Sequence, residues 1–489
     1  MDARLSFCRN FRVAMRHVLV LFLLALFATQ NSTAGQLTLH GFIVGIPSPT
    51  AVEFDDFSVT RDNRVSLEIN PSPAKSKNTL QPGKIRVGDE VEISGNFDFA
   101  TRKLTVKTVK VLSVDDRRFN SVAFPDRPPE LQRTAAGWNG YLFLDGVRIR
   151  VADSTHVTLR RNKRELKDLQ KEQNGVVPAE TISLTAPDEI GSNAMASYAA
   201  VSQKDGSVFA SKVEFEDFEP SLDESERLQK LEPRIEKGDP LLSQADELRI
   251  GRSKYKLVPS PQAQDYIQKL GESLVSKRQR ELPAGSPLKF DYRFYLVENK
   301  EFNVLAFPSG AIVVNSSLLE GLENEAQIAF HVSRAITQVE EIDTWRLSRY
   351  NSSPGHIALK AVAIGAELGA PLALLNVPTL VVAAKNDEFL ESLRDQADRL
   401  ALEWMLAAGY DIREAPRAYK VYALTHPDHK PIYPKPDANQ VEKNQSAAER
   451  RAFLMTELRT NYSRINYGSL TKDSELFHAM AQRARANER

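Results

Sequence analysis

Between Glu219 and Lys237 the hydrophobic pattern of this chain switches from the two-residue alternation of strands to the three-to-four-residue spacing of helices. No other feature narrows the fold as much. Before the switch, from Leu37 to Val111, apolar and polar residues alternate between turn signals, as in Val87-Gly-Asp-Glu-Val-Glu-Ile-Ser-Gly95 and Leu104-Thr-Val-Lys-Thr-Val-Lys-Val111. A comparable plan recurs from Gly137 to Phe218, through Gly140–Gly146, Val147–Val151, Ala194–Val201 and Val208–Phe215, and reads as a second, diverged copy of one small barrel. Trp138, Tyr141 and Phe143 read as core, and neither copy carries a dense aromatic or basic face, which favours a structural or docking role over ligand binding. The switch segment is rich in charge and proline and reads as a linker or a solvated helix. After it the spacing predicts helices over Leu241–Tyr255 and Pro261–Arg280, with Tyr266, Ile267, Leu270 and Leu274 on one face, then strands at Phe290–Val297 and Ala311–Asn315.

The expected class is therefore α+β: two small N-terminal β-barrel-like domains (35–115 and 135–218), a linker (219–238), a mainly helical domain with a small mixed sheet (239–435), and a helical charged tail (436–489). A chain of 489 residues has ample material for such a division.

Residues 1–34 read as a secretory signal, with Arg4, Arg9, Arg12 and Arg16 ahead of an apolar run from Val18 to Ala28 and a small-residue site at Ser32-Thr33-Ala34. That run is short of the roughly 20 residues a spanning helix needs, although an uncleaved anchor, or a start at Met15, stays open. The chain is expected to be exported, to the periplasm or beyond the cell. Its one cysteine, Cys8, falls inside the signal, so the exported part would have no disulfide and no thiolate metal ligand. Without residues 1–34 the balance of 64 basic and 64 acidic side chains becomes a net charge of −3, which argues against a nucleic-acid partner.

In the helical half, Ala245–Gly251 and Gln264–Gly271 lead to Tyr292–Val297, then Asn303-Val-Leu-Ala-Phe-Pro-Ser-Gly310, Ala311-Ile-Val-Val-Asn315 and Leu318-Leu319. This stretch of about 200 residues resembles zinc metallopeptidase family 48, the CAAX prenyl protease and periplasmic assembly-enhancing protease type, in which Asn, a turn of Pro and Gly, a strand and a leucine pair follow in that order. The N-terminal half resembles, in pattern alone, small OB-like domains of exported bacterial proteins. The retained family positions are Asn303, Pro308, Gly310, Asp398 and His426, the last in a His-Pro element. The resemblance implies a gluzincin-like fold, a zinc ion, and an edge strand for extended peptides at Ala311, Ile312, Val313, Val314 and Asn315.

The catalytic pattern itself departs from the family. Where H-E-x-x-H would stand, with two histidines gripping zinc and a glutamate activating water, the chain has His331-Val332-Ser333-Arg334-Ala335. Val332 replaces the general base and Ala335 the second ligand. The third ligand, the glutamate of E-x-x-A-D, is Arg394 in Arg394-Asp395-Gln396-Ala397-Asp398. A guanidinium about 4 Å from a dication would meet repulsion of about 8 kcal/mol at an effective dielectric near 20. Val332 also completes an apolar stripe with Ala329, Ile336 and Val339, so the helix reads as refitted for packing. A relocated ligand pair at His426 and His429, or Ser333 as a nucleophile, is a weaker alternative.

No cofactor is expected unless ligands have moved, in which case it is zinc. The expected function is a catalytically degenerate peptidase homologue that binds unfolded or envelope protein segments by β-augmentation. The alternatives are an active zinc endopeptidase with displaced ligands, or a structural envelope protein. The apolar stretch 357–384, broken by Pro371 and Pro378, is expected as a buried hairpin, with membrane association as the other reading.

Overall fold

The computed structural model describes residues 35–48, 51–56, 64–68, 85–98, 103–112, 118–161, 163–203, 207–239, 242, 244–346, 387–425 and 441–487. The expected signal, the hairpin at 357–384, and His426, Asp428 and His429 lie outside them. The chain divides into two compact units, Met1–Ser113 and Val114–Arg489.

In the first unit, β1 (Gly35–Ser48), β2 (Ala51–Asp56), β3 (Arg64–Glu68), β4 (Glu90–Asp98) and β5 (Lys103–Val111) pair in the ring β1-β2-β3-β5-β4. Closure leaves no free sheet edge. The alternation legible in the sequence puts Ile43, Val52, Phe54, Val91, Ile93 and Val109 inside.

The second unit opens with an eight-stranded sheet that does not close: β6 (Arg118–Ala123), β7 (Glu130–Arg133), β8 (Trp138–Leu144), β9 (Val147–Val151), β10 (His156–Arg160), β11 (Thr181–Ser183), β12 (Ala194–Ser202) and β13 (Val208–Asp217). The path β11-β10-β13-β9-β8-β7 branches at β13, which also carries the β12-β6 pair. The expectation of a second copy of the barrel is thus corrected: the sheet branches at β13 and ends at β6, β7 and β11 instead of returning on itself. α1 (Lys163–Glu172) crosses between β10 and β11.

The switch segment is ordered. α2 (Leu222–Gln229) starts at a capping box, in which the Glu224 carboxylate accepts from Ser221 N (2.7 Å) and the Ser221 hydroxyl accepts from Glu224 N (3.2 Å). β14 (Arg234–Glu236), β15 (Glu247–Ile250) and β16 (Ser253–Lys256) form a small sheet. Where a helix is expected over Leu241–Tyr255, residues 247–256 form a hairpin instead, turned at Gly251 with φ +58°, a value glycine adopts without a Cβ penalty.

α3 (Pro261–Leu274), capped by Ser260, α4 (Lys277–Glu281) and a three-stranded sheet of β17 (Arg293–Val297), β18 (Val304–Ala306) and β19 (Ala311–Asn315) follow. The strand order β17-β19-β18 overturns a second expectation: Ala311–Asn315 is the middle strand, parallel to β17 and antiparallel to β18, with all five residues buried. Its backbone is already paired on both sides and cannot accept a peptide. The outer rim of β17 is filled by side chains of α3, with Gln264 donating to Leu296 O (2.7 Å) and accepting from Leu296 N (2.9 Å), and Gln268 accepting from Phe294 N (3.0 Å).

The rest is helical: α5 (Ser316–Gly321), α6 (Glu325–Glu340), α7 (Asp387–Ala407), α8 (Glu414–Thr425), α9 (Val441–Asn461) and α10 (Glu475–Asn487). The expected charged tail packs inward, burying Leu454, Met455, Leu458 and Phe477. Among the described residues no helix is long and apolar enough to cross a membrane.

Candidate functional site

Of the residues singled out by the family resemblance, His331, Val332 and Ala335 lie on α6, and Arg394 and Asp398 lie on α7, which packs against it. Asn324 caps α6 by accepting from Gln327 N (3.1 Å), and the side chains of Asn324 and Gln327 both donate to Glu414 at the start of α8 (2.9 and 3.0 Å). Fourteen of its sixteen residues are buried, so α6 is a central helix rather than one with a single apolar stripe. The two less buried positions are His331 and Arg334.

His331 touches Phe302 edge-on (ring centroids 6.0 Å) and Phe330 (5.5 Å). Its Nε2 is inaccessible to solvent and has no hydrogen-bond partner among the described residues. Burial first, and then the charge of Arg334, pushes the imidazole down to about 3, against a smaller opposing pull from Asp398, so it is neutral at physiological pH. Val332, Ser333 and Ala335 are buried, and the Ser333 hydroxyl has no partner among the described residues. No relay of the serine-hydrolase kind reaches it there.

Asp398 on α7, fully buried, is the centre of the site. Arg334 Nε donates to its Oδ1 at 2.5 Å, the Tyr419 hydroxyl of α8 donates to the same oxygen at 3.0 Å, and Arg450 Nε of α9 donates to Oδ2 at 2.9 Å. Arg450 Nη1 also reaches Asp395 at 2.6 Å. Burial alone would raise the Asp398 carboxyl, but the Arg450 and Arg334 charges together outweigh it and hold it below the usual carboxylate range. Burial pushes Tyr419 up to about 12, so it serves as a neutral donor. Arg394, in the third-ligand position, lies half-buried on α7.

These donors do not fit a zinc site of the H-E-x-x-H kind. One imidazole is present, Val332 and Ala335 supply no lone pair, and Arg394 supplies a cation. Among the described residues no three His, Cys, Asp or Glu side chains are grouped to hold a metal ion.

The other retained positions shape the sheet beside α6. The Asn315 amide donates to Asn303 Oδ1 and to Glu301 O (3.0 Å), tying β19 to the start of β18. Pro308 and Gly310 make the turn between these strands. Gly310 has φ +90°, and a Cβ there would lie 2.8 Å from Asp291 O.

Arg334, Tyr419 and Arg450 were not among the sequence-derived candidates. The signal for Arg450 was its place beside Ala452-Phe-Leu-Met455, where an apolar run buries whatever adjoins it. A second network was also missed. Gln396, between Asp395 and Asp398, donates to Asp145, to Val122 O (3.1 Å) and to Glu341 (3.1 Å), and accepts from Arg346 (2.5 Å). Asp145 further accepts from Tyr198 and pairs with Arg399 (3.5 Å), while Glu341 accepts from Phe124 N (3.1 Å). The face of α7 opposite the Asp398 cluster thus locks the eight-stranded sheet to the helices.

Known proteins place this geometry in context. No family model matches the chain. It is similar to the Beta-barrel assembly-enhancing protease of Escherichia coli (strain K12), 23% identical over 232 residues that cover 44% of this chain and 46% of that protein. The protein of the same name from Yersinia pestis is 22% identical over 248 residues, 43% of this chain and 46% of its own. The relationship is distant, and of the family-48 kind that the Asn303–Asn315 motif resembles. The chain spans under half the length of these relatives.

Proposed function

We propose that this chain is an exported, catalytically degenerate relative of the zinc metallopeptidases that binds extended protein segments in the cell envelope. The observation that carries the proposal is the Asp398 cluster: two guanidiniums meet a buried carboxylate close to the one remaining histidine, while the base and second-ligand positions are apolar. Loss of a positioned base alone costs about 100- to 10,000-fold in rate. The names of the relatives support an envelope role by analogy.

The strand available to an extended segment is β18. Among the described residues it pairs with β19 alone, and Val304 and Leu305 are half-buried. A bound segment would add main-chain hydrogen bonds to its outer side. Val304→Pro removes a main-chain donor that faces away from β19 and is expected to abolish capture of an unfolded casein-type substrate without unfolding the protein.

A second reading, an active peptidase with relocated ligands, draws on the unpartnered Nε2 of His331. Elemental analysis of the purified protein after zinc supplementation, alongside casein cleavage, separates the two. Substoichiometric zinc and no cleavage are expected. One tightly held zinc per chain, lost on His331→Ala, would overturn the proposal.

A further inference from the structure

The eight-stranded sheet has an outward face with a composition not apparent from the strands taken singly. Trp138, Leu142, Ile149, Val151, Val208 and Ala210 point into its core, so the intervening residues of β8, β9 and β13 point out. The ladders set these outward residues in one row across five strands: Glu130 opposite Tyr141, Tyr141 opposite Arg150, Arg150 opposite Phe209, and Phe209 opposite Val201. Arg148, two residues before Arg150 on β9, lays its guanidinium over the Tyr141 ring at 3.6 Å. Arg148 and Arg150 are exposed, Tyr141 and Phe209 are half-buried, and Val201 is 38% exposed.

Neither Arg148 nor Arg150 has a carboxylate within ion-pair distance among the described residues. Arg160 on β10 shows the usual arrangement, paired with Glu180 at 2.6 Å and Glu216 at 4.0 Å. Two adjacent unpaired guanidiniums beside aromatic rings form a surface complementary to anions on an apolar scaffold.

We propose that this row docks an acidic, extended protein segment whose carboxylates fall on alternate residues. In an extended strand alternate residues lie about 6.6 Å apart, and Arg148 and Arg150 are themselves alternate residues of β9, so the two spacings match. Each guanidinium offers a planar fork to a carboxylate, and a ring on the segment can lie against Phe209 and Val201. A nucleic-acid strand is disfavoured because the row holds one cation, with Arg148 beside it, and ends at Glu130, whereas a phosphate backbone calls for a longer basic stripe. This surface is independent of β18, so either can fail without the other.

The test is fluorescence anisotropy on the full chain with a labelled Gly-Glu-Tyr-Glu-Tyr-Glu-Gly peptide, its Lys-for-Glu counterpart, and a thymidine oligonucleotide of matching length. The acidic peptide is expected to bind, more weakly as salt rises, and the Lys peptide not to bind. Arg148→Thr/Arg150→Thr, which keeps strand-forming residues, is expected to weaken binding about tenfold or more, with an unchanged circular dichroism spectrum and with Val304→Pro leaving it unaffected. If the double variant fails to fold, Phe209→Thr and the salt dependence of the unaltered chain carry the test. Equal binding of both peptides, no loss in the variants, or tighter binding of the oligonucleotide would each overturn the proposal.

Discussion

Replacing Asp398 by asparagine keeps the shape and one acceptor oxygen of the side chain but removes the negative charge shared by Arg334 and Arg450. Arg450 retains Asp395 at 2.6 Å, so the variant mainly strands Arg334, which has no other carboxylate within ion-pair distance among the described residues. A pair at about 4 Å is worth about 4 kcal/mol at an effective dielectric near 20, and removing one member of a buried pair costs about 3–5 kcal/mol. Arg334 keeps 16% of its side-chain surface and can partly relax toward water, which places the expected loss near the lower figure. The three tryptophans, Trp138, Trp345 and Trp404, all lie in the second unit, so their fluorescence during urea unfolding reports that unit alone. The control is Asp291→Asn, which breaks the exposed pair with Arg293 and is expected to cost about 0–1 kcal/mol. Adding Arg334→Met to Asp398→Asn removes the stranded cation and is expected to recover part of the loss. A loss below about 1 kcal/mol for Asp398→Asn, or simple additivity in the double variant, would refute the assignment of Asp398 as the centre of the site.

Three further outcomes follow from the same packing. Burial pushes Glu340 and Asp343 up to about 7 from their ordinary 4.5 and 3.8, so the folded state holds protons that the unfolded chain has released, and stability falls as pH rises from about 4 to 7. His331, held to about 3, has the opposite sign below 6.5, and Asp398 loses its contribution only below 3.8; a urea midpoint rising steadily from pH 4.5 to 7 would contradict this balance. Gln396→Leu leaves Asp145, Glu341 and Arg346 with fewer partners and is expected to cost about 2–4 kcal/mol, with faster amide exchange in β6 as well as α7; an unchanged β6 would break the proposed link between sheet and helices. Gly271→Ala drives a Cβ into the Phe294 ring and is expected to cost about 1–3 kcal/mol in unfolding by urea, a neutral result being the contrary outcome.

Local periodicity exposed much of the secondary structure and little of its pairing. Ala329, Val332, Ile336 and Val339 fall on one line of α6, and all four are buried as that spacing predicts. The same spacing could not reveal that the opposite side is buried too, because that depends on α7, α8 and the sheet. For β19 the signal was present: Ala-Ile-Val-Val has no alternation, the pattern of a strand covered on both faces, and it pointed to the middle of a sheet. The unclosed second sheet was illegible because strand-by-strand alternation does not report which strands pair, and so hides a branch such as the one at β13. Val332, Ala335 and Arg394 were read directly from the chain, whereas the guanidiniums around Asp398 were not, since Arg450 arrives from 52 residues away.

The charges of the site balance as one coupled set. A buried carboxylate such as Asp398 needs nearby positive charge, because burial alone drives it toward protonation. Arg334 and Arg450 provide that charge, and Tyr419 fills the remaining hydrogen-bonding capacity. Arg334 also lowers the basicity of His331, as the second cause of its depression after burial. A metal would have to compete with both guanidiniums for the surrounding field, using an imidazole and no carboxylate of its own. Asp398 is therefore an anion that serves packing: it ties α6, α7, α8 and α9 together at one point. On the proposed reading, that tie is what holds the β17-β19-β18 sheet and its outer strand in place for a bound segment.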